Sequence, residues 1–337
     1  MVLSKVKITD VARDAGVSRS TVSLVMQDSP LVADVTRQKV EESAKRLGYI
    51  YNRAAASLRS QTSGNIGVII SSVSNPFFGE ITLGLEKIFG GADKAVLLGQ
   101  HLEDLASQDR LIMSMLESCA DGIILVPAYG TEKRHLNRLI NTGVPTVFLN
   151  RKVENVRFPY VGSDTTTGAE LAADHLLNHG VTRIAILGGR IGSSALKERV
   201  AGVTNSLSKH GLPSENLLLI GDQANRKAGF ESAIKLAKQG IRDTGILAYN
   251  DIVASGAMAA LHQMGISPGK DIPLIGIDDV EFSQFLNPSL TTIHTNPFEI
   301  GLTAGQTLLS IIQHQSSSVQ NIMLSNDLVI RQSCGCN

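Results

Sequence analysis

Several groupings of side chains in this chain of 337 residues have types and spacing that chemistry could use. Gly265-Ile266-Ser267-Pro268-Gly269 matches the G-x-S-x-G pattern that lifts a nucleophilic serine on a sharp strand-to-helix turn. Here the run leaves a predicted helix and enters a predicted strand, with Pro268 directly after the serine, so the acyl-transfer context is missing. Gly188-Gly189-Arg190-Ile191-Gly192 is too loosely spaced for a dinucleotide fingerprint, and there is no P-loop and no H-E-x-x-H run. Cys119, Cys334 and Cys336 are an odd number without zinc-site spacing, which predicts reduced thiols. The terminal Cys-Gly-Cys could hold a metal, but a pair at a chain end is more often inert. The eight histidines are scattered and read as surface or satisfied core positions. These patterns predict no catalytic, cofactor or metal site, and no enzyme.

Two further groupings point to binding. Arg199 lies in Leu196-Lys197-Glu198-Arg199-Val200-Ala201-Gly202, on a predicted helix after a strand. Tyr249-Asn250-Asp251 stands at another strand end, with Asp251 at a helix start where a carboxylate gains from the helix dipole. An arginine and an aspartate aimed into one cleft suit a polyhydroxylated ligand, since each makes paired hydrogen bonds. The same two residues would serve equally as an ion-pair member and a cap. Ser74-Asn75-Pro76-Phe77-Phe78 follows the first predicted strand, and its rings either line a cleft or plug a lobe. Near the amino terminus, residues 8–25 (ITDVARDAGVSRSTVSLV) read as two crossed helices. Thr9 caps the first, through 10–14, Gly16 supplies the turn, and Ser18 caps the second. Val11, Ala12, Ala15, Val17, Val22 and Val25 face inward, leaving Arg19, Ser20, Thr21, Ser23 and Leu24 outward. That is a helix-turn-helix whose second helix fits a major groove. A small helical hairpin that only packs would show the same faces, so the rest of the chain must decide.

The elements that must position these groups follow in order. A third helix spans 34–47, with Val35, Val40, Ala44 and Leu47 inward and Gly48 as its stop. Residues 52–60 (NRAAASLRS) are basic and too short to stay helical without a partner, and 61–65 read as a linker. From Ile66 onward, near-continuous apolar runs alternate with amphipathic stretches. Strands are predicted at 66–70, 94–98, 122–126, 145–149, 158–161, 183–187, 217–220, 244–248 and 272–277, with isolated pieces at 290–294 and 320–331. Helices fit at 78–89, 104–118, 131–142, 166–179, 195–210, 225–239, 252–264 and 298–313. Such a pattern means parallel sheets covered on both faces, and the strand number calls for two α/β lobes with the chain crossing between them more than once. A ligand would sit between the lobes, at the carboxyl ends of the strands.

Composition agrees. Hydrophobic residues make up 43% of the chain, but no apolar run approaches a membrane span, and the start MVLSKVKITD lacks a signal core, which predicts a cytoplasmic protein. The net charge is zero, yet residues 1–62 carry ten Lys and Arg against six Asp and Glu, a surplus of +4, and the remainder carries 21 against 25. A basic head on an acidic body suits phosphate binding, and so modest a surplus suits a head that needs a second copy.

With those residues laid out, the chain resembles the lactose-repressor (LacI/GalR) family of bacterial transcription regulators over nearly all of residues 6–333. The head carries Ile8-Thr9-Asp10-Val11-Ala12, Ala15-Gly16-Val17-Ser18, Thr21-Val22-Ser23, Leu47-Gly48-Tyr49, Asn52 and Leu58-Arg59. The body carries Ile66-Gly67-Val68, Asn75-Pro76-Phe77-Phe78, Asp121-Gly122-Ile123-Ile124, Arg199-Val200-Ala201-Gly202, Asn250-Asp251, Gly276-Ile277-Asp278 and Leu290-Thr291-Thr292-Ile293. Within the family, residues 18–26 and the serine-rich run before Arg199 look most like repressors of maltose regulons. The resemblance implies an α/β architecture of a three-helix DNA-binding head (1–50), a hinge helix and linker (51–63) and a bilobal, periplasmic-binding-protein-like body (64–337). The amino lobe takes about 64–162 plus 294–324, and the carboxyl lobe about 163–291 plus 325–337.

It implies a homodimeric repressor, without cofactor, that binds pseudo-palindromic double-stranded operator DNA and answers to a sugar or sugar phosphate. Arg19, Ser20 and Leu24 fall at base-reading positions, among Thr9, Ser18, Thr21 and Ser23. Asn52, Arg53, Ala55, Ala56, Leu58 and Arg59 form the hinge, with Leu58 as the minor-groove wedge, while Lys5, Lys7 and Arg53 hold phosphates. Arg199 and Asp251 fall on the effector-binding pair, in a site with Asn75, Phe77, Phe78, Arg151, Ser193, Gln223, Asn250 and Asp278. Two departures stand out. Ala33 occupies a position where the family usually caps the third helix with a serine-type residue, and Leu24 offers an apolar contact where several relatives carry a polar reader. Gln223 stands where purine-responsive relatives stack an aromatic ring, which favours a sugar over a nucleobase or nucleoside. The chain ends without leucine heptads, against a tetramerising tail. A periplasmic sugar-binding protein would share the body but not the head.

Overall fold

The computed structural model describes residues 6–27, 29–51, 62–240, 242–314 and 320–336. Lys5 and the predicted hinge residues Asn52, Arg53, Ala55, Ala56, Leu58 and Arg59 lie outside them. The chain divides into two compact units, residues 1–63 and 64–337. Among the described residues no helix is long and apolar enough to cross a membrane.

In the first unit, α1 (Ile8–Ala15), α2 (Arg19–Met26) and α3 (Asp34–Leu47) enclose a core of Val11, Ala12, Val22, Val25, Val40 and Ala44. The turn between α1 and α2 depends on Gly16, whose φ of 68° is left-handed and whose N–H donates to the Ala12 carbonyl. Two readings from sequence change here. Thr9 does not cap α1: the helix starts earlier, at Ile8, and Asp10 instead accepts a hydrogen bond of 2.9 Å from the Lys7 backbone N–H. Val35 is 66% exposed, because the first turn of α3 projects beyond the helices it packs against. Ala33 caps α3 without any side-chain hydrogen bond.

The second unit holds two six-stranded sheets. One has the order β11-β5-β4-β3-β1-β2, from β1 (Asn65–Ile70), β2 (Ala95–Gln100), β3 (Gly122–Leu125), β4 (Thr146–Leu149), β5 (Tyr160–Ser163) and β11 (Asn321–Leu324), all parallel. The other has the order β12-β10-β9-β8-β6-β7, from β6 (Arg183–Leu187), β7 (Leu217–Ile220), β8 (Thr244–Ala248), β9 (Leu274–Asp278), β10 (Thr291–His294) and β12 (Asp327–Val329). It is parallel except for the β10–β12 edge pair. Strands such as β3, β4, β8 and β9 are buried throughout, as parallel strands sheathed by helices must be. The chain passes between sheets three times, after β5, after β10 and after β11. At the amino edge of the first sheet, Asp121 accepts from the Gly64 N–H at 3.1 Å and pairs with Lys94 at 2.8 Å, fixing the point where the chain enters β1.

The helices covering these sheets are α4 (Pro76–Gly91), α5 (Leu105–Glu117), α6 (Asn137–Thr142), α7 (Thr165–Asn178), α8 (Ser194–Lys209), α9 (Arg226–Gln239), α10 (Asp251–Gln263) and α11 (Pro297–Ile312). The helix predicted at 131–142 is interrupted: a 3-10 turn, Lys133–Leu136, precedes the short α6. Three pairs, α4 with α11, α7 with α8 and α9 with α10, approach closely because glycines face the partner backbone. A Cβ on Gly256 of α10 would overlap the Arg226 carbonyl oxygen on α9. Gly256→Ala should therefore lower the stability of the body by about 1–3 kcal/mol, despite alanine's better helix propensity. Urea unfolding followed by circular dichroism checks this, and an unshifted midpoint would show that the two helices have room to part.

Candidate functional site

Residues that could read nucleic acid gather on α2. Ser18 caps it, accepting from the Thr21 N–H at 3.0 Å, and the Ser18 hydroxyl also bonds those of Ser20 and Thr21 at 2.7 and 2.8 Å. Arg19 and Ser20 are exposed at the helix start, with Ser23 and Leu24 half-buried behind them. Val22 and Val25 are buried on the opposite face, so the helix is anchored by one side and presents the other. Thr9 is half-buried within α1. Asp14 of α1 is held by the Ser43 hydroxyl of α3 at 2.5 Å and by Arg46, and both hold its pKa below the usual carboxylate value.

The body's cavity, about 410 Å³, opens between the two sheets. Its walls come from the segments just beyond the carboxyl ends of β1, β2, β3, β4, β6, β7, β8 and β9, since all these strands point the same way within their sheets. Asn75, at the start of α4, accepts from the Phe77 N–H at 3.1 Å. Phe77 and Phe78 stand edge to face, 5.1 Å between centroids, both buried and both on the wall. Arg151 makes two hydrogen bonds to Glu103 at 2.9 and 3.0 Å, a third to the Pro127 carbonyl, and lies 4.0 Å over the Tyr129 ring.

From the other sheet, Arg199 stacks 4.1 Å over Tyr249 and donates to the Tyr249 and Ala195 carbonyls at 2.9 and 3.0 Å. Among the described residues it makes no ion pair, so a buried guanidinium stands ready for a ligand. Asp278 ends β9 in a left-handed conformation, φ 120°, and faces the cavity. Burial pushes its pKa well above the usual carboxylate range; Asp251 raises it further, while Arg199 and the Asn75 side chain oppose this. Gln223 and Asn250 complete the wall, Asn250 also capping α10.

Two predicted positions fall elsewhere. Ser193 caps α8, accepting from the Leu196 N–H at 3.2 Å, and lines a neighbouring hollow of about 490 Å³ rather than the main cavity. Asp251 does not face the cleft and does not pair with Arg199. It points back into the lobe, where it accepts from the Thr292 hydroxyl at 2.6 Å, the Ser283 hydroxyl at 2.6 Å and the Val280 N–H at 3.0 Å. The first residue of a helix directs its side chain toward the preceding strand ends. The aspartate opposite Arg199 is therefore Asp278. Sequence reading passed over Tyr129, Ser72, Asn150, Glu103 and Asp222, although each follows a strand end where a ligand is expected.

Burial pushes the Asp251 carboxyl up to about 7, against the pull of its three donors. A carboxyl raised above its unfolded value of about 3.9 stabilises the fold most below pH 4 and loses that contribution as pH rises through about 7. Asp251→Asn should therefore gain on the parent between pH 5 and 8. Asp251→Ala, which strands three donors, should cost about 2–4 kcal/mol at pH 7. Denaturant unfolding of the three proteins across that range checks both signs, and parallel pH curves for parent and Asn variant would refute the first.

Comparison with known proteins agrees with this geometry. Residues 7–52 match the bacterial regulatory proteins of the lacI family, and 173–334 match the periplasmic binding protein-like domain. The maltose regulon regulatory protein MalI of Escherichia coli (strain K12) is 29% identical over 341 residues, covering 96% of this chain and 98% of its own. The transcriptional repressor PurR of Aliivibrio salmonicida (strain LFI1238) is 28% identical, covering 97% and 98%. Among solved structures, the lac repressor dimer bound to operator and the anti-inducer ONPF superposes with a TM-score of 0.85 at 29% identity, covering 98% and 99%. A LacI family regulator from Enterococcus faecium with bound ribose gives 0.71 at 27%, covering 80% and 98%.

Proposed function

The chain belongs to the LacI family of bacterial regulatory proteins, and we propose that it represses a carbohydrate-utilisation operon under control of a small sugar bound between the lobes. The observation that carries this reading is the union, in one chain, of an anchored helix presenting Arg19 and Ser20 with a cleft that Arg199, on α8, and Asp278, at the end of β9, both line from the carboxyl lobe. Arg199, Asn250, Gln223 and Asp278 offer donors and acceptors around rings of Tyr129, Tyr249 and Phe77, the mix of polar and aromatic surface that a pyranose or furanose presents in return. The relative that regulates a maltose regulon and the regulator that holds ribose support a sugar.

The protein acts as a homodimer in the cytoplasm. A head with so small a basic surplus needs two copies for tight binding, and the lac repressor dimer on its operator is the structural precedent. Phe285, 73% exposed on a 3-10 turn of the carboxyl lobe, supports burial of that lobe against a second copy. Arg19 and Ser20 then read base edges, and Lys7 lies beside them for phosphate contact.

The test begins with selection of bound sequences from random duplex DNA, followed by gel retardation at two salt concentrations. Sugars and nucleobases are then screened by thermal shift. The reading requires a pseudo-palindromic site, affinity that falls steeply with salt, and a sugar among the stabilising ligands. Arg19→Ala should lose about 1–3 kcal/mol at one base step and recover an altered consensus; recovery of the parent consensus would remove Arg19 from base reading. Arg199→Ala should keep operator binding but weaken the sugar by about 2–5 kcal/mol, which isothermal titration measures; an unchanged dissociation constant would move the effector site elsewhere.

A further inference from the structure

Far from the cleft, the carboxyl end of α7 and the end of the chain bring together four metal-ligating side chains. His175 lies on the last turn of α7 and His179 caps it, while Cys334 and Cys336 flank Gly335. One ligand atom from each lies within 4.8 Å of all the others. His179 Nε2 is 3.2 Å from His175 Nε2 and 3.1 Å from Cys336 Sγ, and Cys336 Sγ is 3.4 Å from His175 Nε2. A tetrahedral zinc ion, about 2.0–2.1 Å from nitrogen and about 2.3 Å from sulfur, has ligand-to-ligand edges of about 3.3–3.8 Å. The three edges among His175, His179 and Cys336 are near those of a bound ion, and Cys334 Sγ, within 4.8 Å of the other three, also donates to the Arg331 carbonyl at 3.5 Å. Hydrogen bonding explains the convergence poorly, because two imidazole nitrogens and a thiol meeting at one point offer few protons for their lone pairs.

The backbone is shaped for the same end. Gly335 takes a left-handed φ of 90°, and a side chain there would strike the Gly269 carbonyl oxygen, so the turn that aims both thiols at α7 accepts only glycine. The preceding Ser333 is fastened by hydrogen bonds to the Leu274 carbonyl at 2.6 Å and from the Thr291 N–H at 2.9 Å, which fixes where Cys334 starts. The two histidines are four residues apart, on one helix face, at the end where the dipole favours a cation. Cys334 is buried and His179 exposed, so the cluster sits at the surface, open to an incoming ion.

We propose that His175, His179, Cys334 and Cys336 form a structural Cys2His2 site for a divalent zinc ion that staples the carboxyl-terminal tail to α7. Two neutral imidazoles and two thiolates give the borderline-soft, tetrahedral set that zinc favours, with no position left open for catalysis. Binding releases the two thiol protons to solvent and involves no change of oxidation state.

The test uses full-length protein without a histidine tag, in a Cys119→Ser background so that the two clustered cysteines are the only thiols. Elemental analysis should find about one zinc per chain. Cobalt substitution should give the visible bands of a tetrahedral centre together with thiolate-to-metal charge transfer. Cys336→Ser and His175→Ala should each weaken zinc, measured against a chromophoric chelator, by more than the roughly tenfold that loss of even an outer partner costs. Chelation should lower the Tm of the parent and leave that of Cys336→Ser unmoved. Circular dichroism confirms that both variants fold. Zinc-free protein that takes up no zinc, an octahedral cobalt spectrum, affinity unchanged in both variants, or a Cys334–Cys336 disulfide in protein purified under reducing conditions would each overturn the proposal.

Discussion

The carboxyl-lobe side of the cleft depends on one buried carboxylate. Asp251 ties the first turn of α10 to the backbone of Val280, to the 3-10 turn through Ser283 and to β10 through Thr292. These are the segments on either side of Asp278, which is held with positive φ at the end of β9. A non-glycine residue in that conformation persists only where its surroundings over-determine it, and the Asp251 knot supplies that determination. Room for the carboxylate comes from Gly276, where any Cβ would overlap Asp251 Oδ1. The aspartate that lines the cavity and the aspartate that holds it in place are therefore different residues.

Across the cleft, the two buried arginines differ in what they have left to offer. Arg151 is neutralised by Glu103 and also donates to the Pro127 carbonyl, leaving only its buried Nε without a partner, so it stiffens the wall formed by Tyr129. Arg199 is held only by backbone carbonyls and a ring face, which orients it without neutralising it. An unpaired buried guanidinium costs the free protein stability, and a ligand that supplies acceptors recovers part of that cost on binding. The tyrosine hydroxyls of Tyr129 and Tyr249 lie 3.4 Å apart and join the two lobes across the cleft.

Much of this fold was legible in the residues. Strands 183–187, 217–220 and 244–248 and helix 34–47 emerge with the expected bounds, because uninterrupted apolar runs and a glycine stop leave few alternatives. The exposed side of α2 was legible for the same reason: two buried valines three residues apart define its opposite face. Spacing could not tell which of two strand-end aspartates enters the cleft, since that depends on whether a side chain sits on a helix start or a strand end. Ser193 was misplaced by the same blindness to direction. The terminal Cys-Gly-Cys stood out as a pair that could hold a metal, but its histidine partners did not, for the members are as much as 161 residues apart and only the docking of the tail against α7 makes them neighbours. Nor does apolar patterning foresee the glycine crossings that set how near the covering helices lie.

The anchor at Asp121 sets a length scale for signalling within the body. It grips the chain at Gly64, at the amino edge of a strand whose other end feeds Ser71 to Asn75 into the cleft. Six residues of parallel strand measure roughly 20 Å at about 3.3 Å each. Because β1 is hydrogen-bonded on both sides, it is fixed to its sheet, and a rotation of that sheet by about 5° about the ligand end would displace Gly64 by roughly 1.7 Å over that length. The body is a lever whose long arm ends where residues 1–63 begin.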